Sequence, residues 1–126
     1  MHVSHKGYEC DVVFDLYANN ENIAIILLGK KDTAYEYEVI AYASTNIEHK
    51  TADNVVGIKT WNENKGIVES LVKGNVIKED LLYTLPSGFV QVEYYELTDE
   101  ALIEVNEVRE DIKNRSRVKH ETTKNN

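Results

Sequence analysis

Several features that would place this chain in a familiar class are missing. It has one cysteine, Cys10, so no intrachain disulfide can form, which suits a reducing compartment. No apolar run approaches the roughly 18 residues needed to span a bilayer as a helix. The longest, Ile23 to Leu28, is strand-sized. The opening Met1-His2-Val3-Ser4-His5-Lys6 carries no apolar stretch of the secretory type, so a cytoplasmic location is expected. There is no phosphate-cradling glycine loop, no Ser-His-Asp arrangement of workable spacing and no metalloprotease helix motif. Collagen-like, membrane-spanning, disulfide-scaffold and wholly disordered classes are set aside, and no enzyme activity, catalytic residue, metal or cofactor is expected.

What is present is an acidic chain of 126 residues, long enough for one domain with its own core. Hydrophobic residues make up 42% and charged residues 29%, ordinary for a globular protein. Lys and Arg number 14 against 22 Asp and Glu, a formal net charge of −8. The charge is uneven. Lys113, Arg115, Arg117, Lys119 and Lys124 face only Glu121 in the last stretch, leaving nine basic and 21 acidic residues in positions 1–112. Such a body repels phosphates, which argues against a primary duplex-DNA binder. Residues 116–126 read as a basic, disordered tail, able to touch nucleic acid or an acidic partner.

Tyr8, Cys10, Val12, Phe14 and Leu16 alternate with Glu9, Asp11 and Asp15, the period of a half-buried strand. An Asn-rich turn at 18–22 leads into Ile23–Leu28, read as a strand buried on both faces, and Lys30–Thr33 forms the next turn. Tyr35–Tyr42 alternates again, 44–54 is polar loop, and Val55–Trp61 is a fourth strand. A helix is expected from Glu63 or Asn64 to Lys73, capped by Asn62 or Asn64 and stopped by a left-handed Gly74. Ile77, Leu81 and Leu82 carry no clear pattern. Leu85-Pro86-Ser87-Gly88 reads as a turn into a last strand, Phe89–Tyr95. A second helix, 98–115, starts at the cap Thr98, with Ala101, Val105, Val108 and Ile112 on one side. The expected fold is α+β: a mainly antiparallel sheet of about five strands (β-β-β-β-α-β) in a core of residues 1–97, plus the C-terminal helix.

Two groups of residues are candidates for binding. The first is an acidic and aromatic face made of Glu9, Asp11, Asp15, Tyr35, Glu36, Tyr37 and Glu38, since tyrosines among carboxylates suit a protein interface. Regularly spaced carboxylates can also imitate a phosphate backbone. The second is the strand-to-helix corner Lys59, Thr60, Trp61, Asn62, Glu63 and Asn64, where backbone N–H groups lie beside an aromatic plate and two amides. Cys10, inward on its strand, reads as an inert thiol. His2 and His5 sit on what reads as a frayed terminus, too few and too isolated for a zinc site.

Ile58-Lys59-Thr60-Trp61-Asn62-Glu63-Asn64-Lys65-Gly66 and Leu85-Pro86-Ser87-Gly88-Phe89-Val90-Gln91-Val92 resemble the paired signature of a small domain-of-unknown-function family carried by phages, plasmids and conjugative elements. Ile23-Ala24-Ile25-Ile26-Leu27 resembles that family's opening strand, and the likeness spans residues 8 to 97. Asn62 departs from the family's usual Ser, and Lys65 from its common Glu. The resemblance implies a mobile-element origin and a bacterial host's cytoplasm; it carries no catalytic assignment. The function expected is a non-enzymatic accessory protein that binds and inhibits a host protein, such as a CRISPR or restriction component, through the acidic, tyrosine-rich surface. The alternative is a small-ligand or nucleotide-binding module using the Trp61–Asn64 corner.

Overall fold

Lys6 and Gly7 take left-handed φ values of 50° and 82°, and this two-residue turn folds the first strand, β1 (His2–His5), back onto β2 (Tyr8–Leu16). The computed structural model describes residues 1–30 and 37–124, with side chains at 1–29 and 37–117. The expected turn at Lys31–Thr33 and the start of the strand at Tyr35 lie outside the described residues. The terminus read as frayed is thus a paired edge strand, with Val3 and His5 inward and His2 and Ser4 outward. β3 (Ile23–Lys30) and β4 (Tyr37–Tyr42) complete an antiparallel sheet in the order β1-β2-β3-β4.

The Asn-rich turn between β2 and β3 does more than reverse the chain. Asn22 is buried; its amide nitrogen donates to Asn46 Oδ1 (3.1 Å) and the His49 carbonyl (2.8 Å). Its Oδ1 accepts from the Thr51 backbone N–H at 3.0 Å. One side chain thereby satisfies two backbone groups of the polar loop 44–54, the His49 carbonyl and the Thr51 N–H.

A second antiparallel sheet has the order β5-β7-β6, from β5 (Val55–Ile58), β6 (Ile77–Ser87) and β7 (Val90–Leu97). The segment around Ile77, Leu81 and Leu82, which carries no clear pattern in sequence, is therefore strand. The turn falls at Gly88-Phe89, with Gly88 at φ 60° and Ser87 opposite Val90, so Leu85 and Pro86 belong to β6. Pro86 is tolerated because β6 is an edge strand. The fold is α+β, but its strands divide into sheets of four and three rather than one sheet of about five. They join where Ser44 bridges Ile58, flanked by the Lys59 N–H to the Ala43 carbonyl at 2.9 Å.

Between the sheets lies the main core, with Val3, Cys10, Val12, Phe14, Ile25 and Leu27 facing Val56, Ile58, Tyr95 and Leu97. α1 (Ile67–Lys73) adds Ile67 and Leu71; α2 (Asp99–Lys124) adds Ala101 and Val105, with Leu102 and Val108 half-buried. Thr98 caps α2 as expected, its Oγ1 accepting from the Ala101 N–H at 3.1 Å. The helix docks on β2 and β7 of its own chain. It then runs to Lys124, so most of the stretch read as a disordered tail is helical. A second, smaller cluster of Val55, Val92 and Tyr94, with Ile47, Trp61 and Leu85, covers the other face of the three-stranded sheet.

Candidate functional site: the open face of the four-stranded sheet

The strand-to-helix corner is built for packing. A 3-10 turn at Asn62–Asn64 comes first, and Lys65 and Gly66 interrupt the chain before α1 begins. The continuous helix expected from Glu63 or Asn64 is thus broken, and neither Asn62 nor Asn64 caps it; Gly66, at φ 85°, occupies the cap position with no side-chain bond. Asn64 is fully buried, and its Nδ2 donates to the carbonyls of Tyr42 (2.7 Å) and Lys59 (2.9 Å). The amide thereby ties β4 to the exit from β5. Trp61 lies against the second cluster, and Lys59 pairs with Glu63 at 2.7 Å. Lys59 Nζ holds the Glu63 carboxyl below its ordinary range, and Lys6 donates to the Glu63 backbone carbonyl. Thr60, half-buried, links this ion pair to Trp61 along the chain.

The acidic and aromatic candidates fall differently. Residues directly opposite in an antiparallel pair share a face. His2 lies opposite Asp11, Asp11 opposite Leu28, and Leu28 opposite Val39, which makes one row across all four strands. Val13, Ile26 and Tyr42 make the next row, Ser4 and Glu9 lie to one side, and Asp15 is opposite Ala24. α1 and α2 pack on the opposite face, where Val12 and Phe14 line a cleft with Glu104, Glu107 and Val108 of α2. Among the described residues no helix covers the outer face. It presents Tyr37, Val39 and Tyr42 at 55%, 44% and 61% exposure, next to half-buried Val13, Ile26 and Leu28. Glu9, Asp11 and Asp15 border this strip and are exposed.

The structure therefore brings Glu9, Asp11, Asp15 and Tyr37 together. Glu38 is on the other face, because it pairs with Gly29, which pairs with inward Cys10. Tyr35 and Glu36 lie outside the described residues. Sequence reasoning missed the apolar centre of the patch. Ile23–Leu28 reads as buried on both faces, yet Ile26 and Leu28 are only half-buried on the open side. The signal available was the alternation of Tyr37 and Val39 in the next strand, Val39 lying opposite Leu28.

At the β1 edge of this face, His2 Nε2 meets Glu9 Oε2 at 2.6 Å and Nδ1 lies 3.5 Å from Asp11 Oδ1. These carboxylates raise the His2 pKa, Glu9 contributing most. Ser4, which donates to Glu9, and then His2 hold the Glu9 carboxyl low. Cys10 is buried on the inner face, and burial, followed by Glu9 and Asp11, pushes its thiol pKa up. Among the described residues no three His, Cys, Asp or Glu side chains are grouped to hold a metal ion. An apolar, tyrosine-bearing strip with a carboxylate border is suited to macromolecular contact.

No family model, no curated protein and no solved structure matches the chain.

Proposed function

We propose that the chain is an accessory protein of a phage or other mobile element that binds a host protein and inhibits it, the target being a defence component of the CRISPR or restriction type. The observation that carries this reading is the uncovered outer face of the β1–β4 sheet. Tyr37, Val39 and Tyr42 supply apolar area at its centre, and Glu9, Asp11 and Asp15 supply negative charge at its border. A protein evolved to grip nucleic acid presents a basic groove, which carboxylates in this arrangement complement. The patterns at 58–66 and 85–92 support the mobile-element origin. Among the described residues no helix is long and apolar enough to cross a membrane.

The test is an affinity capture from bacterial host lysate, comparing the native chain with a Val39→Lys/Tyr42→Lys variant at low and moderate salt. The expected result is a nucleic-acid enzyme retained by the native chain, released as salt rises, and not retained by the variant. Identical proteins on both baits, at every salt concentration, would refute the reading.

A further inference from the structure

On the far side of the molecule from the open face, α2 carries a feature of the opposite charge. Arg109, Lys113 and Arg117 follow at intervals of four residues, so they share one stripe of the helix, each about 6 Å along the axis from the last. Where α2 leaves the core, a cleft of about 490 Å³ opens beside this stripe, within the size range of small-ligand sites. Arg109, Lys113 and Ser116 line it from the helix, Lys50 from the facing loop, and Leu16 and Ile112 give it an apolar wall. Glu21 and Asp53 complete its lining.

Three observations make the cleft more than a gap. Arg109 is held in place, its Nη2 donating to the Asp53 backbone carbonyl at 2.7 Å and its Nη1 to Asn106 Oδ1 at 2.9 Å. Its other donors stay available, and a fixed guanidinium fork is the group best matched to phosphate oxygens. Next, Lys50, Lys113 and Arg117 form no ion pair among the described residues, although carboxylates outnumber cations across the chain. Arg115, on the other side of the helix, is the one neutralised locally, by Asp111 at 2.7 Å. Finally, the cations come from two segments remote in sequence that the fold brings to one cavity.

We propose that this cleft binds a phosphate group, carried either by a free nucleotide or by a single-stranded oligonucleotide. Arg109, Lys50 and Lys113 take the phosphate oxygens, and the attached base lies against Leu16 and Ile112. Glu21 and Asp53 accept from sugar hydroxyls. Arg117, one helical turn beyond the cleft, meets a second phosphate only if the ligand is a strand.

The experiment is a heteronuclear NMR titration of the full chain with inorganic phosphate, uridine 5′-monophosphate and a ten-residue oligothymidylate. Each phosphate probe that occupies the cleft shifts the amides of Lys50, Arg109, Lys113 and Ser116. A Lys50→Ala/Lys113→Ala variant weakens binding about tenfold for each lysine removed and melts at the native temperature, because neither side chain packs in a core. Arg117→Ala separates the two sources: it weakens the oligonucleotide, with a shallower salt dependence, and leaves the mononucleotide unchanged. If no phosphate probe moves those amides, or the double variant binds as the native chain does, the proposal is wrong.

Discussion

His5 Nδ1 lies 2.8 Å from Ser70 Oγ, joining the N-terminal edge strand to α1 across the base of the core. Ser70 Oγ itself donates to the Gly66 carbonyl at 3.1 Å, so its single proton is committed and His5 must be the donor at Nδ1. The other ring nitrogen, Nε2, is then an unprotonated, buried atom without a partner.

Protonating that nitrogen would place a charge where nothing receives it, and burial followed by Lys6 lowers the His5 pKa from 6.5. The unfolded chain therefore takes up the proton first. The stability that His5 lends is complete above pH 6.5 and declines as the pH falls below it, toward the lower folded-state value. Urea denaturation from pH 8 to pH 5 should show the midpoint falling faster for the native chain than for His5→Gln. His2, raised instead of lowered, works in the opposite sense and is common to both proteins.

Asn64 clamps the junction of the two sheets, its Nδ2 donating to the carbonyls of Tyr42 and Lys59. Asn64→Ala removes both donated bonds and leaves the Tyr42 and Lys59 carbonyls to find other donors, at a cost of about 2–3 kcal/mol. Asn64→Asp should cost more, since a carboxylate would face two carbonyl oxygens in a fully buried position. Equilibrium chemical denaturation measures both. Equal stability of all three proteins would show that the amide is dispensable.

Gly74 was expected as a left-handed stop, but its φ is −79°, and the left-handed residue is Asn75 at 61°. Glycine is required at 74 for room. A Cβ there would come within 2.5 Å of Val3 Cγ2 and 3.2 Å of the His2 carbonyl. Gly74→Ala should destabilise by about 1–3 kcal/mol by pushing β1 away from α1. Asn75→Gly should be tolerated or slightly stabilising. Thermal melting of the two variants, compared directly, separates the roles.

Cys10 should resist thiol reagents in the native state. It is fully buried with a raised pKa, so a disulfide exchange reagent has neither access nor thiolate. Its labelling rate should match the rate of global unfolding and rise in parallel with it across a urea series. Rapid labelling in buffer would mean that β2 opens locally.

Much of this architecture could be read directly, and the failures have physical causes. Alternation located β2, and Thr98 with its apolar stripe located α2, because both elements are amphipathic by themselves. β1 was missed although His2-Val3-Ser4-His5 alternates, since a histidine buried against a serine from 65 residues away has no local signature. β6 was missed because Lys78, Glu79, Asp80 and Pro86 suit a loop, and only pairing with β7 makes them strand. Of the candidate site, the carboxylate border was legible and the apolar centre was not. Hydropathy reports that Ile26 and Leu28 are apolar but not whether a helix covers them. The corner misled in the opposite way: Asn64 has the composition of a cap, and the fold uses it as an internal clamp.

The strand order has a further consequence for how the chain acquires its structure during synthesis. Every pairing in the first sheet is between neighbours in sequence, so β1 to β4 can assemble as soon as residue 42 has left the ribosome. β5, by contrast, has to wait for β7, and the inner face of β2 has to wait for α2. The earliest sheet is thus the last to be sealed, with Val12 and Phe14 exposed to chaperones or to other nascent chains until the final helix arrives. Premature termination before Asp99 would release a chain whose strands are complete and whose core is open.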